Sequence, residues 1–228
     1  MDVIPVELTD EFVDILRRGV KVYYLRRLTL FKKMYEKLGI KTKSSKNDVR
    51  VLMALDPKWF RQVDEDFLVM RRLIAVHRSL LRSCQSLTKR MRALNVSERN
   101  ILKTALNSLE EQITAMASLI VNEAGKRMPA YEKAVENLNL KGENHLHGQA
   151  ALAEVMVYID PHKNFIKTAN FFGLFRGKPK IYNGNARQAL QRLSMSLGNT
   201  KEAKQEKRIL YTVWKTMRTH ERLEAIPA

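Results

Sequence analysis

Met70, Leu73, His77, Leu80, Cys84, Leu87, Met91 and Leu94 follow one another at alternating intervals of three and four. That is the spacing of the a and d positions of a coiled-coil helix, and it runs over more than three heptads. Asn95 to Ser97 interrupts it, after which Leu102, Leu106, Leu109, Ile113, Met116 and Ile120 form a second seam of the same kind. Two seamed helices joined by a short turn predict an antiparallel hairpin. The hairpin either packs against its own domain or dimerises as a coiled coil through Leu73, Leu80, Leu87 and Leu94. Asp64, Glu65 and Asp66 place negative charge at the start of the first helix, where the helix dipole favours it. Gly125 and Pro129 disturb the end of the second.

The flanking segments are patterned differently. In residues 1–62, Val3 to Val6 is short, apolar and β-prone, and Thr9-Asp10 offers a cap for a helix with Phe12, Ile15 and Leu16 on one face. A basic helix is expected from about Val20 to Leu38, stopped by Gly39, with a polar basic loop from Lys41 to Asn47 after it. Asp48 then caps a short helix, Val49 to Leu55, that ends before Pro57. In residues 138–228 the apolar run Ala150 to Ile159 predicts a helix. A last helix, Lys201 to about Glu224, carries Ile209, Leu210, Val213, Trp214 and Met217 on its apolar face. The pattern as a whole predicts a mainly α protein in three parts: a short mixed N-terminal region (1–62), a coiled-coil hairpin (63–137) and a C-terminal helical domain (138–228).

Charge changes the picture more than composition does. The 228 residues contain 45% hydrophobic residues, ordinary for a globular protein, but 41 Lys and Arg against 24 Asp and Glu give a net charge of +17. The excess is +6 over residues 1–62, +3 over 63–140 and +8 over 141–228, so it is not a basic tail. A folded polyanion-binding protein follows, because each neutralised phosphate releases counterions. Between Phe67 and Ser97, Arg71, Arg72, Arg78, Arg82, Lys89, Arg90 and Arg92 meet no acidic residue, which makes that helix either a phosphate-contacting face or a solvated one. One cysteine, Cys84, rules out an intramolecular disulfide. The start of the chain lacks a signal core, there is no long apolar stretch, and a cytoplasmic or nucleoid-associated place is expected, without a membrane partner.

Several candidate groups carry chemistry. Gly142 and Gly148 open the apolar helix, and a glycine turn at a helix start can present backbone N–H groups to a phosphate. Phe165, Phe171, Phe172, Phe175 and Tyr182 are interleaved with Lys163, Lys167, Arg176, Lys178 and Lys180, a combination able to stack bases while neutralising phosphates. Core packing explains most of these rings equally well, Phe175 and Tyr182 being the ones expected at the surface. His145, His147, Asp160 and His162 match no ordinary zinc spacing. No P-loop, Rossmann glycine pattern or nucleophile elbow is present.

The order of landmarks from Leu140 to Trp214 is Gly142, Gly148, Phe165, Phe172-Gly-Leu174, Pro179, Asn183-Gly184 and Arg192-Leu-Ser-Met-Ser-Leu-Gly-Asn199. It resembles the C-terminal domain of the bridge-RNA-guided insertion-sequence transposases, the insertion-sequence one-ten family. The resemblance implies a resolvase-like N-terminal fold with four metal-binding carboxylates, a coiled coil, and a C-terminal domain with a nucleophilic serine. That serine falls here on Asn183, and an amide cannot attack a phosphodiester. The family's paired-acid motif falls on Lys43 to Val49, where Asp48 matches the last acid and Ser45 stands for the other. Two-metal phosphoryl chemistry needs several converging carboxylates, so the resemblance implies a truncated relative that kept binding and shed catalysis.

The expectation is thus a non-catalytic protein that binds DNA, structured RNA or both, as a homodimer and without a cofactor. Binding is assigned to Gly142, Gly148, Arg176, Lys178, Lys180, Arg187 and Arg192, and to the N-terminal Lys41, Lys43 and Lys46. An active recombinase or nuclease that completes its magnesium site with a partner is one alternative, separated by a metal-dependent cleavage assay. A coiled-coil scaffold with incidental charge is the other, separated by a salt-dependent gel shift.

Overall fold

The computed structural model describes residues 5–25, 28–175, 182–198 and 202–224. Among them the chain is mainly α, with ten α-helices and one two-stranded sheet. It divides into two compact units, residues 1–72 and 73–228. The boundary lies inside one long helix, and the expected hairpin from Leu73 onward shares a unit with the C-terminal segment.

In the first unit, α1 (Thr9–Arg17) leads through a turn at Gly19, φ 81°, into strand β1 (Val22–Leu25). Next come α2 (Leu28–Lys37), α3 (Ser45–Met53) and strand β2 (Phe60–Val63), which pairs antiparallel with β1 in the register Val22 to Val63 and Leu25 to Phe60. The expected helix from Val20 therefore starts only at Leu28. Val22-Tyr-Tyr-Leu25 is made of β-prone residues, its two end residues are buried and Tyr23 is exposed, and a strand partner later in the chain captures it. Val13, Val22, Val63 and Leu68 make the small core, with Tyr24 stacked on Phe67 at 5.7 Å. Two expected caps are replaced. Thr9 lies inside α1 and donates to the Val6 carbonyl, and Ser44, not Asp48, caps α3 by accepting from Asn47 N at 3.2 Å.

The second unit begins within α4 (Glu65–Met91) and continues through α5 (Val96–Arg127), α6 (Tyr131–Asn137), α7 (Leu146–Tyr158), α8 (Phe165–Phe171), α9 (Gly184–Ser196) and α10 (Ala203–Glu224). The break at Asn95 is a capping box: the Asn95 amide oxygen accepts from Glu98 N, and the Glu98 carboxylate accepts from Asn95 N, both at 3.0 Å. Along α5 the buried positions are Ile113, Ala117, Ile120 and Ala124, so the apolar face turns toward α7 beyond the first half. In α4, His77 is buried while Leu73, Leu80, Cys84 and Leu87 are half-buried, as is Leu94 just beyond the helix.

Helix α7 is the centre of this unit. It is buried on every side from Ala150 to Met156 and packs against α5, α6 and α9. The approach of α9 depends on Gly148, where an added Cβ would sit 2.5 Å from Ser196 Oγ and 3.1 Å from Leu140 Cδ2. Helix α10 closes the core with Ile209, Leu210, Val213 and Trp214, whose indole N–H donates to the Lys163 carbonyl at 2.9 Å. Among the described residues no helix is long and apolar enough to cross a membrane.

Candidate nucleic-acid interface

Glu154 is the one charged residue in the run Ala150 to Ile159, and the fold places it at the middle of the buried α7, 1% exposed. A carboxylate there must be paired. Helix α9 brings Arg192, whose Nη2 lies 2.5 Å from Glu154 Oε2, and α4 brings Arg78, whose Nε lies 3.2 Å from Oε1. Desolvation pushes the Glu154 pKa up, and Arg192 and Arg78 oppose that push. The Arg78 guanidinium also lies 5.7 Å from the Tyr158 ring centre. Two guanidiniums around one carboxylate leave the cluster cationic. Beside it, His77 is buried and its pKa is lowered to about 4, first by desolvation and then by Arg192, His147 and Arg78. His77 is therefore neutral near neutral pH and adds no charge.

At the start of α9 the Asn183 side chain accepts from Ala186 N at 3.0 Å, and the Asn183 backbone N–H donates to the Phe171 carbonyl at 2.9 Å. Asn183 is thus the helix cap, a place for which Asn is among the preferred residues. Arg82 extends from α4 to the same turn, its Nη2 3.0 Å from Asn185 Oδ1. One turn along α9, Arg187 Nη2 lies 2.5 Å from an oxygen of the fully buried Glu206 of α10.

A second cationic place lies in the first unit, between α2 and the loop before α3. Phe31, Lys32, Tyr35, Lys41 and Lys43 line an open cavity of about 290 Å³. Phe31 and Tyr35, one turn apart on α2, meet edge to face at 5.3 Å. The Tyr35 hydroxyl donates to the Asp48 carboxylate on α3, which holds the ring and occupies the acid that matched the family's motif. Ser45 opens α3, and Lys46 beside it is exposed. Among the described residues no three His, Cys, Asp or Glu side chains converge on a metal position.

The structure sorts the expected binding residues. Lys41 and Lys43 come together at the cavity. Arg187 and Arg192 are committed to buried carboxylates, so both hold the C-terminal unit together. Gly148 is the contact point of α7 with α9, its side occupied by Ser196, while Gly142 is exposed with φ 98° and open space around it. Arg176, Lys178 and Lys180 lie outside the described residues. Of the aromatic set, Phe172 is core, Phe165 packs on Tyr211 and Trp214 at 5.1 and 5.7 Å, Phe175 is half-buried and Tyr182 is exposed, lying against Gly173. Two arginines of α4 that meet no acid nearby in sequence meet acids from elsewhere: Arg72 pairs with Asp10 at 2.6 Å and Arg78 with Glu154. Sequence reasoning missed Glu154 and Glu206 as counter-charges. The signal for Glu154 was present, a single acid in ten otherwise uncharged positions.

The chain matches no family model and no curated protein.

Proposed function

We propose that this protein is a non-catalytic nucleic-acid-binding protein, a relative of the bridge-RNA-guided insertion-sequence transposases that works as a homodimer. The observation that supports it most is cation excess that the fold leaves at the surface. Beside the +17 net charge, Lys32, Lys41 and Lys43 are exposed around one aromatic cavity, Lys46 is exposed at the start of α3, and exposed Arg82 stands over the start of α9. The landmark order from Gly142 to Arg192 supports the kinship. Absence of catalysis is supported by the two positions at which the family does its chemistry: Asn183 caps α9, and Asp48 accepts the Tyr35 hydroxyl beside Ser45. Dimerisation is supported by the seam Leu73, Leu80, Leu87 and Leu94, which α4 and the turn after it leave half-buried.

Equilibrium binding of labelled DNA and RNA across a salt series tests the reading. Log affinity should fall with log salt, with a slope of about 0.9 per phosphate neutralised on duplex DNA. Affinity that stays flat from low to physiological salt overturns it. Incubation of DNA with magnesium or manganese should yield no cleaved or joined product. Cleavage abolished by Asp48→Ala would establish the recombinase alternative instead.

A further inference from the structure

We infer that the cavity between α2 and the loop at Lys41 to Ser44 binds one unpaired base of a single-stranded nucleic acid, with the flanking phosphates on Lys32, Lys41 and Lys43. The inference rests on the nucleic-acid reading above and names the form and the place. Three observations carry it. The lining is two aromatic rings and three lysines, which supply a stacking surface and cations at one point. No carboxylate forms an ion pair with these three lysines among the described residues, so their charge is available to a ligand. Asp48, on the neighbouring α3, already accepts the Tyr35 hydroxyl.

Size and order favour a base over a duplex. At about 290 Å³ the cavity sits at the lower limit of ligand cavities, about 300 Å³, enough for a ring system and too small for a paired helix. In a duplex the faces of a base are already covered by its neighbours, so stacking on Phe31 and Tyr35 requires an unpaired one. The site is also held before binding. Asn47 Nδ2 donates to the Thr42 carbonyl at 2.9 Å and Asn47 N donates to Ser44 Oγ at 3.2 Å, fixing the backbone that carries Lys41 and Lys43. The Tyr35 to Asp48 bond fixes one ring and the 5.3 Å edge-to-face contact fixes the other against it. A site ordered in advance loses less entropy when the ligand arrives.

The test uses the full chain with labelled single-stranded oligothymidylate and a duplex of equal length at one salt concentration. Phe31→Leu keeps an apolar side chain and removes the π face. It should weaken single-strand binding about tenfold and change duplex binding less than twofold, with Phe31→Trp restoring the single-strand affinity. Unchanged single-strand binding by Phe31→Leu, or an equal loss on both forms, overturns the base site while the general reading stands. Wild-type protein that binds neither form even at low salt overturns both. Photocrosslinking of wild-type protein to an iodouridine-substituted single strand reads the same site without a variant. The crosslinked peptide should contain Phe31 or Tyr35, and crosslinks confined to other segments overturn the inference.

Discussion

Arg192 of α9 lies 2.5 Å from a carboxylate oxygen of Glu154, a residue of α7 almost wholly closed to solvent. The pair joins the two helices that pack most closely in the C-terminal unit, and Arg78 of α4 approaches the other carboxylate oxygen. Removing one arginine leaves a buried carboxylate with half its compensation. Breaking a buried pair from one side costs about 3–5 kcal/mol when nothing else compensates. With Arg78 still in place, Arg192→Ala should lower stability by about 3 kcal/mol, measured by denaturant unfolding. Arg192→Lys keeps the charge but not the planar fork, and should recover only part of that loss. Wild-type stability in Arg192→Ala would mean that the arginine is a surface cation after all.

The same cluster sets a dependence on pH. His77 has its pKa lowered to about 4 in the folded chain, against 6.5 when exposed. The unfolded state therefore binds the proton more readily. The contribution is complete above about pH 6.5 and is lost progressively as pH falls toward 4, to a limit of about 3 kcal/mol. Thermal melting followed between pH 7 and pH 4 should show this fall, and His77→Leu should flatten it. An equal fall in both proteins would assign the acid sensitivity to other groups.

Gly148→Ala tests the contact of α7 with α9 by volume alone. The new methyl would sit 2.5 Å from Ser196 Oγ and 3.0 Å from Ser196 Cβ. The first contact is too close to stand and the second is tight, and α7 is buried on the opposite side, so Ser196 must move or α9 give way by a few tenths of an ångström. The expected cost is about 2 kcal/mol, within the range for overpacked cores. Ser196→Ala in the same chain removes the nearer atom and should return part of it. A Gly148→Ala protein as stable as wild type would show that α9 shifts freely against α7.

What the sequence could show follows the range of the interactions. The helices α4, α5 and α10 were legible because a period of three and four is a local property of the chain. Strand β1 was not, because Val22-Tyr-Tyr-Leu25 is extended only by virtue of Phe60 to Val63 across the sheet. The partners of two arginines on α4 were hidden for the same reason. A window from Phe67 to Ser97 contains no acid, yet Asp10 and Glu154 reach Arg72 and Arg78 through the fold. At the candidate site, Lys41 and Lys43 were visible as a basic loop. Their pairing with Phe31 and Tyr35 was not, since those rings read as one face of an ordinary amphipathic helix. Arg187 and Arg192 read in sequence as ligand-binding cations because nothing near them in the chain shows that Glu206 and Glu154 are buried against them.

Self-association should depend on the α4 seam. Leu80→Glu with Leu87→Glu places two carboxylates on half-buried apolar positions, where charge is costly to desolvate. Light scattering should show a dimer for the wild type and a monomer for the double variant at micromolar concentration. A monomeric wild type removes the dimer from the proposal without touching the binding reading.

Arg78 and Arg82, one turn apart on α4, should separate structure from binding. Arg78 is mostly buried against Glu154 and Tyr158, whereas Arg82 is exposed and hydrogen-bonded to the neutral amide of Asn185. Arg78→Ala should therefore lower the melting temperature, because it strips one of two guanidiniums from a buried carboxylate. Arg82→Ala should leave melting close to wild type and reduce the salt slope of duplex binding by about 1, the contribution of a single phosphate contact. Lys41→Ala with Lys43→Ala should reduce the salt slope of single-strand binding by about 1.4, at about 0.7 for each phosphate. If Arg82→Ala leaves the slope unchanged while the lysine pair removes most of it, the first unit carries the phosphate contacts and the start of α9 serves packing alone.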